Sequence, residues 1–421
     1  MRSDRLPMYG WLVAQAISLL GTRVSMLAIP WLVLTTTGSA TQTGVVAAVE
    51  LTPLVLFKAV GGPLVDRLGP RRVALTCDAL SLFVVGAIPL AHAAGALSFP
   101  LLLVLVALAG TLRGPGDAAT GALIPALAEG AGVRYERITG LSSAIERGAS
   151  MAGAALAGGL IAIVGPAAAI TVDAISFGVC AVILAVATAG LPVVEREVKE
   201  EPTSYAVELA EGWRFLRKDA VLMSLSLMVA ATNLLDLAWS AVLMPVWAKE
   251  TGAGAGALGL VFAVWAGASM GGSVVAAAFG ERLPRFPTYV AAFLITGLPR
   301  FLVYAVGSPL WVILLTSVVG GCASGFLNPV LGAVIFERIP KHLLGRVSSL
   351  NTALCWSLMP FGGILGGVLV SQLGYVSAVV IVGIGYFVAT MAPALLPSFR
   401  GMERVPVQPE VRPAGSPSPA G

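Results

Sequence analysis

Arg137–Leu160, RITGLSSAIERGASMAGAALAGGL, aligns without a gap with Arg346–Leu369, RVSSLNTALCWSLMPFGGILGGVL, at an offset of 209 residues, so that Gly153 meets Gly362 and Gly158 meets Gly367. Both stretches are apolar, rich in small residues and begin with a basic residue. A second pair, Pro30–Glu50 with Pro245–Trp265, aligns at an offset of 215, and Gly121-ALI matches Gly332-AVI. The two halves of the chain are therefore one design written twice.

Composition fixes the solvent for that design. Of 421 residues, 57% are hydrophobic and 11% charged, against about 25% charged in a soluble domain. Mean hydropathy is +0.90. Apolar runs long enough to cross a bilayer, about 20 residues each, recur along the chain, and turn signals divide them into twelve. The sequence predicts an all-α polytopic membrane protein with twelve transmembrane helices in two pseudo-symmetric six-helix bundles. The N-terminus, MRSDRLPMYG, leads into an apolar segment without a small-residue cleavage site and reads as a retained first helix.

Charge sets the orientation. If the N-terminus is cytoplasmic, every Lys and Arg lies in a tail or a cytoplasmic loop except Arg23, Lys58, Arg113, Arg147 and Arg300, which fall within spans, and Lys249, in an outside loop. This satisfies the positive-inside rule and puts both termini in the cytoplasm. It also accounts for the net charge of +4 without nucleic-acid binding. The expected organisation is an N-terminal bundle over 1–190, a cytoplasmic linker with an amphipathic helix over 191–219, a C-terminal bundle over 220–397 and a disordered tail over 398–421. In the linker, Trp213, Phe215 and Leu216 beside Arg214, Arg217 and Lys218 read as a helix lying on the inner leaflet.

Enzyme and cofactor chemistry find no support. Cys77, Cys180, Cys322 and Cys355 lie in apolar runs at spacings that fit neither a zinc site nor a disulfide framework. His92 and His342 match no metal or triad spacing, and there is no phosphate-binding loop.

Between the second and third spans stands Gly61–Arg72, GGPLVDRLGPRR. Gly62, Asp66, Arg67, Gly69, Arg71 and Arg72 fit the pattern found in this loop of major facilitator transporters, with Pro70 in place of one basic residue. Ala28-IPWLVL, Gly114-PGDAATGALIPAL, Glu211-GWRFLRK and Gly345-RVSSLNTA extend the resemblance along nearly the whole chain. They look like the drug:proton antiporter branch that contains macrolide efflux and mycobacterial Tap-type multidrug efflux proteins. The fifth helix carries Gly153-Ala154-x-x-Ala157-Gly158 where many antiporters have Gly-Pro-x-x-Gly-Gly, and the first helix has Thr22 where many relatives have an acid.

The resemblance implies a secondary active exporter of amphiphilic drug-like compounds in the cytoplasmic membrane, working as a monomer by alternating access in exchange for protons. Export of an endogenous metabolite or siderophore, movement of a lysolipid, and a non-transporting sensor or scaffold are the alternatives. Charges inside the hydrocarbon cost about 2.5–3.5 kcal/mol each on insertion scales and are functional suspects. Glu50, Asp236, Glu146 and Asp117 are the proton-coupling candidates, because a carboxyl held away from water favours its protonated form. Arg23, Lys58, Arg113, Arg147 and Arg300 are their candidate partners, and Arg113 stands one turn from Asp117 on the same helix. Asp78 is assigned to the support of the loop charges. Asn233, Trp239, Phe262, Trp265, Trp356 and Met359 are candidates for the substrate cavity, where rings would suit cationic amphiphiles.

The loop motif is expected to act as a cytoplasmic gate. Asp66 would face the start of the eleventh helix near Gly345 and Arg346, where the helix dipole favours an acid, while Arg67, Arg71 and Arg72 pair with loop acids. Asp66→Asn should therefore favour the inward-open state about two- to fivefold, read as faster labelling of cytoplasmic cysteine probes; unchanged labelling contradicts the gate.

Overall fold

The computed structural model describes residues 5–60, 62–190, 205–279, 283–339 and 344–402. The side chains of Asp66, Arg147 and Arg346 lie outside that description, as do most of the linker and the tail beyond Met402. Twelve helical segments among the described residues are long and apolar enough to cross a membrane. The first half comprises α1 (Leu6–Thr37), α2 (Ala40–Val60), the short α3 (Gly62–Leu68), α4 (Pro70–Ala93), α5 (Phe99–Ala122) with its extension α6 (Ile124–Ala131), α7 (Tyr135–Val164) and α8 (Pro166–Ala187). After α9 (Tyr205–Lys218), the second half comprises α10 (Ala220–Ala238) with α11 (Met244–Glu250), α12 (Gly254–Phe279), α13 (Arg285–Thr296) with α14 (Leu298–Ala305), α15 (Leu310–Arg338), α16 (Leu344–Trp356) with α17 (Met359–Leu373), and α18 (Tyr375–Met391).

Helix ends follow local chemistry. The Ser98 side chain accepts a hydrogen bond from the Leu101 N–H to start α5, and Asp219 accepts from the Val221 and Leu222 N–H groups, 3.0 Å each, to start α10. Within α10–α11, residues Trp239–Leu243 form a π turn in which the Met244 N–H reaches the Trp239 carbonyl. Pro245 follows at once; its nitrogen has no hydrogen to donate and its ring crowds the carbonyl four residues back, so the widened turn absorbs the mismatch. The repeat survives in the turns as well. Gly165 (φ 84°, ψ 165°) joins α7 to α8, and Gly374 (φ 80°, ψ 166°), 209 residues later, joins α17 to α18. Only glycine takes that conformation without strain.

Within each half the packing repeats: α2 on α5 corresponds to α12 on α15, and α1 on α7 to α10 on α17. The halves meet chiefly where α2 packs on α17 and α7 on α12. These contacts lie toward the face opposite the chain ends, here the far face. A Cβ on Gly44 would overlap the carbonyl of Gly363, and one on Gly158 would come 2.6 Å from the Cα of Gly259. Gly44 and Gly259 are repeat counterparts at an offset of 215, so the same backbone-to-backbone contact is made on both sides of the pseudo-twofold axis. Lys249 adds a polar tie: its Nζ donates to the Leu34 carbonyl at 2.7 Å, joining α11 to the last turn of α1. Cation meeting carbonyl at a helix C-terminus is favourable. The far face is closed.

Two expectations about the terminal face need amendment. The folded chain does not stop at 397: Pro397–Met402 form a 3-10 turn whose Phe399 is fully buried against Tyr289, ring centroids 5.1 Å apart. Arg338 donates to the Gly401 carbonyl at 2.9 Å. Arg71 turns away from loop acids: its Nε donates to Thr188 Oγ1 at 2.9 Å and an Nη to the Ala185 carbonyl at 3.0 Å, where it caps the end of α8. In the linker helix α9, Leu216 is buried with Leu222, Ile339 and Val347, while Trp213, Arg214, Arg217 and Lys218 are exposed.

The glycine contacts make a testable demand. Gly44→Val places two methyl groups against the Gly363 carbonyl, and overpacking of this kind costs about 1–3 kcal/mol. A cysteine at Ser240 should then react at least about tenfold faster with an impermeant maleimide added at the far face; an unchanged rate would mean that this contact does not hold the face shut.

Candidate functional site: a cavity between the halves

Two glycines one turn apart on α5, Gly110 and Gly114, lie against the backbone of α2. A Cβ on Gly110 would overlap the Glu50 carbonyl, and one on Gly114 would meet the Lys58 nitrogen at 2.7 Å. In the second half Gly321 and Gly325 of α15 do the same to α12, at Trp265 and Ser273. Small residues at such spacing let helices in lipid approach closely. Glu50 and Trp265 are counterparts at an offset of 215, and both line a cavity of about 280 Å³ between the halves. Ala47 and Leu51 on α2 and their counterparts Phe262 and Ala266 on α12 line the same space. Arg23 and Met26 of α1 and Ser240 of the π turn complete much of the wall.

The cavity is mostly apolar, and among its described lining residues Glu50 is the one carboxylate. Among the described residues its carboxylate takes part in no ion pair or side-chain hydrogen bond. Asp236 is held differently. It pairs with Arg300 of α14, whose guanidinium carbon lies 4.4 Å from the ring centroid of Tyr386, 4.6 Å from Phe301 and 5.3 Å from Trp265. The Arg300 side chain is 12% exposed and that of Asp236 41%. Trp265 thus has the cavity on one side and the Arg300 cation on the other.

A second, charged cavity of about 240 Å³ opens within the first half. Lys58, Asp78, Arg113, Asp117 and Glu146 line it. Here Asp117 pairs with Lys58 at 3.7 Å, a correction to the intrahelical Arg113–Asp117 pair read from spacing alone. Gly114 is the reason: without a side chain it lets α2 close enough for Lys58 to reach across. Asp78 belongs to this cavity and not to the loop charges. Lys58 Nζ also lies 5.0 Å from the Trp356 ring centroid, across the divide between the halves.

Four cavity candidates sit elsewhere. Trp239 is buried edge-on to Phe301 and Tyr304, each at 4.8 Å. Asn233 donates to the Cys355 carbonyl at 2.9 Å, satisfying backbone at the break between α16 and α17 that Pro360 imposes. Met359 packs with Leu34, Leu237 and Val242, and Trp356 covers Lys58. Sequence reading ranked Arg23 only as a counter-ion, although it faces the central cavity; the signal available was its place one turn before Leu27 and two before Pro30 on the face that lines it. Asp173, another charge that the sequence places within a span, is 2% exposed and accepts hydrogen bonds from Ser25 and Ser176 between α1 and α8.

The family model for the Major Facilitator Superfamily matches residues 11–238 and again 226–419, once over each half. The chain belongs to the major facilitator superfamily. Membership makes it a multi-pass membrane transporter and not an enzyme. Among curated members it is 32% identical to the multidrug efflux pump Tap of Mycobacterium tuberculosis, over 98% of this chain and 99% of that one. It is 27% identical to Tap of Mycolicibacterium fortuitum, over 91% and 94%. The fold also resembles that of the nucleoside transporter NupG, with a TM-score of 0.69 at 13% identity over 94% of this chain and 98% of that one.

The Asp236–Arg300 pair lies in the second half of the chain, and exposure decides how the two residues differ. Removing Asp236 strands a buried cation, which costs about 3 kcal/mol or more; removing Arg300 leaves a half-exposed carboxyl that water can reach. Asp236→Ala should lower the melting temperature in detergent more than Arg300→Met, and the double variant should recover most of the loss. Additive losses would mean that the pair is not coupled.

Proposed function

We propose that this protein is a secondary active exporter of amphiphilic, drug-like compounds, driven by exchange for protons. The observation that carries the reading is the unpaired Glu50 carboxylate in a mostly apolar cavity between the two halves. Apolar walls with few polar groups are the usual make-up of a small-molecule site, and Phe262 and Trp265 offer ring faces to a cation. The names of the Tap relatives, multidrug efflux pumps over essentially the same length, support the same cargo class.

In this mechanism Glu50 holds either a proton or the cationic group of the substrate. With both termini in the cytoplasm, as the distribution of Lys and Arg favours, the closed far face is the outside and this conformation receives cargo from the cytoplasm. Substrate displaces the proton from Glu50; the glycine contacts at the far face open and the motif at Gly62–Arg72 closes the cytoplasmic side. A proton from outside then neutralises Glu50 and releases the cargo. Asp236 serves as a second coupling acid, since protonating it would free Arg300 behind Trp265 and so alter the cavity wall. The cavity is complete within one chain, which accords with a monomer. The units are the two bundles, joined through a cytoplasmic linker whose helix α9 lies on the inner leaflet.

Competition between proton and cation has a definite sign. Binding of a monocationic dye should weaken as pH falls from 8 to 5, because protonation removes the negative charge that holds it, and the dependence should vanish in Glu50→Gln. In proteoliposomes with an imposed pH gradient, Glu50→Gln should abolish uphill transport while retaining substrate binding within about tenfold. Full gradient-driven transport by this variant would exclude Glu50 as the coupling acid.

A further inference from the structure

Glu50 shares the central cavity with one residue of opposite charge. Arg23 stands on α1 opposite Gly153 of α7, where a Cβ would come 2.6 Å from the Arg23 Cβ. The glycine gives the arginine stem its place, and the guanidinium reaches the cavity wall. There it finds little to bind. One Nη lies 3.7 Å from Met26 Sδ, a weak acceptor, and Nε is buried with no partner. A guanidinium carries five N–H donors in a rigid plane suited to a carboxylate, and a buried donor left unfilled is costly.

Arg23 feels the charge of Glu146 but pairs with no acid among the described residues. Among the described residues it forms no ion pair with Glu50, although both line the same cavity, and Glu146 opens into the second cavity. The empty site therefore presents a carboxylate and a guanidinium as separate fixtures on apolar walls.

We infer that Arg23 is a second polar subsite of the cavity and that the preferred cargo is zwitterionic: an amphiphile with a cationic nitrogen for Glu50 and a carboxylate or comparable acceptor for Arg23. This rests on the central cavity being the substrate site. A purely cationic compound uses Glu50 and leaves Arg23 unfilled; a zwitterion satisfies both.

Rhodamine B, a zwitterion at neutral pH, and its ethyl ester, a monocation, differ only in the group Arg23 would bind. Their equilibrium binding to the purified full-length protein should favour rhodamine B by about tenfold, the worth of a charge-assisted hydrogen bond. Arg23→Gln should erase that preference, and the affinity for the ester should rise, since the ester does not use the guanidinium and is freed from its repulsion. Glu50→Gln should weaken both dyes. Arg23→Lys, which keeps the charge but not the fork, should retain part of the preference and guards against a folding defect in the glutamine variant. Equal binding of the two dyes by the unmodified protein, or a preference that survives Arg23→Gln, overturns the subsite and leaves Glu50 as the cation site. Failure of the unmodified protein to bind either dye overturns the central cavity as the substrate site as well.

Discussion

Backbone lying directly on backbone, with glycine as the only residue thin enough to allow it, is the constraint on which this molecule rests. Lipid tails are as apolar as leucine, so helices in a bilayer gain little by hiding apolar side chains and associate through close van der Waals fit and occasional polar ties. Gly110 and Gly114 bring α5 onto α2; Gly321 and Gly325 bring α15 onto α12. Each seam fixes the backbone at a position, Glu50 or Trp265, whose side chain lines the cavity. Gly44 with Gly363 and Gly158 with Gly259 use the same device between halves.

The duplicated frame carries unlike contents. On the first half the clamped position is an acid, and the helices behind it enclose Lys58, Asp117, Arg113 and Glu146. On the second it is a tryptophan backed by Arg300, itself surrounded by Phe301 and Tyr386 and tied to Asp236. One wall supplies charge and the other polarisable surface. If cargo binds there, as we propose, the position of its charge matters more than its outline, because ring faces and aliphatic side chains accept many shapes.

Much of this was legible in the sequence because a repeat in lipid must be repeated in glycine. The offsets of 209 and 215 paired as counterparts the helices that meet at the far face, and the alignment that ends at Glu50 and Trp265 already paired the two residues that line the cavity from opposite halves. What failed to show was anything decided between helices. Asp117 had Arg113 one turn away and chose Lys58, since Gly114 set the spacing across the seam. Trp239 and Asn233 sat at plausible helical positions beside Asp236, yet a π turn rotates one into the aromatic core and a proline break in α17 claims the other. Arg71 read as a loop charge and caps α8. Phe399 stood in a proline-rich tail and is buried, because Tyr289 offers a ring that no local pattern announces.

The seams and the walls answer to different selection pressures. A glycine clamp is indifferent to the side chains it presents, so Ala47, Leu51, Phe262 or Ala266 can change without disturbing how the helices meet, whereas exchange of Gly110 or Gly321 for any larger residue disturbs everything at once. Such a protein can change what lines its cavity while the contacts between its helices stay fixed. Cargo range is then a poor guide to ancestry, and the spacing of glycines a good one.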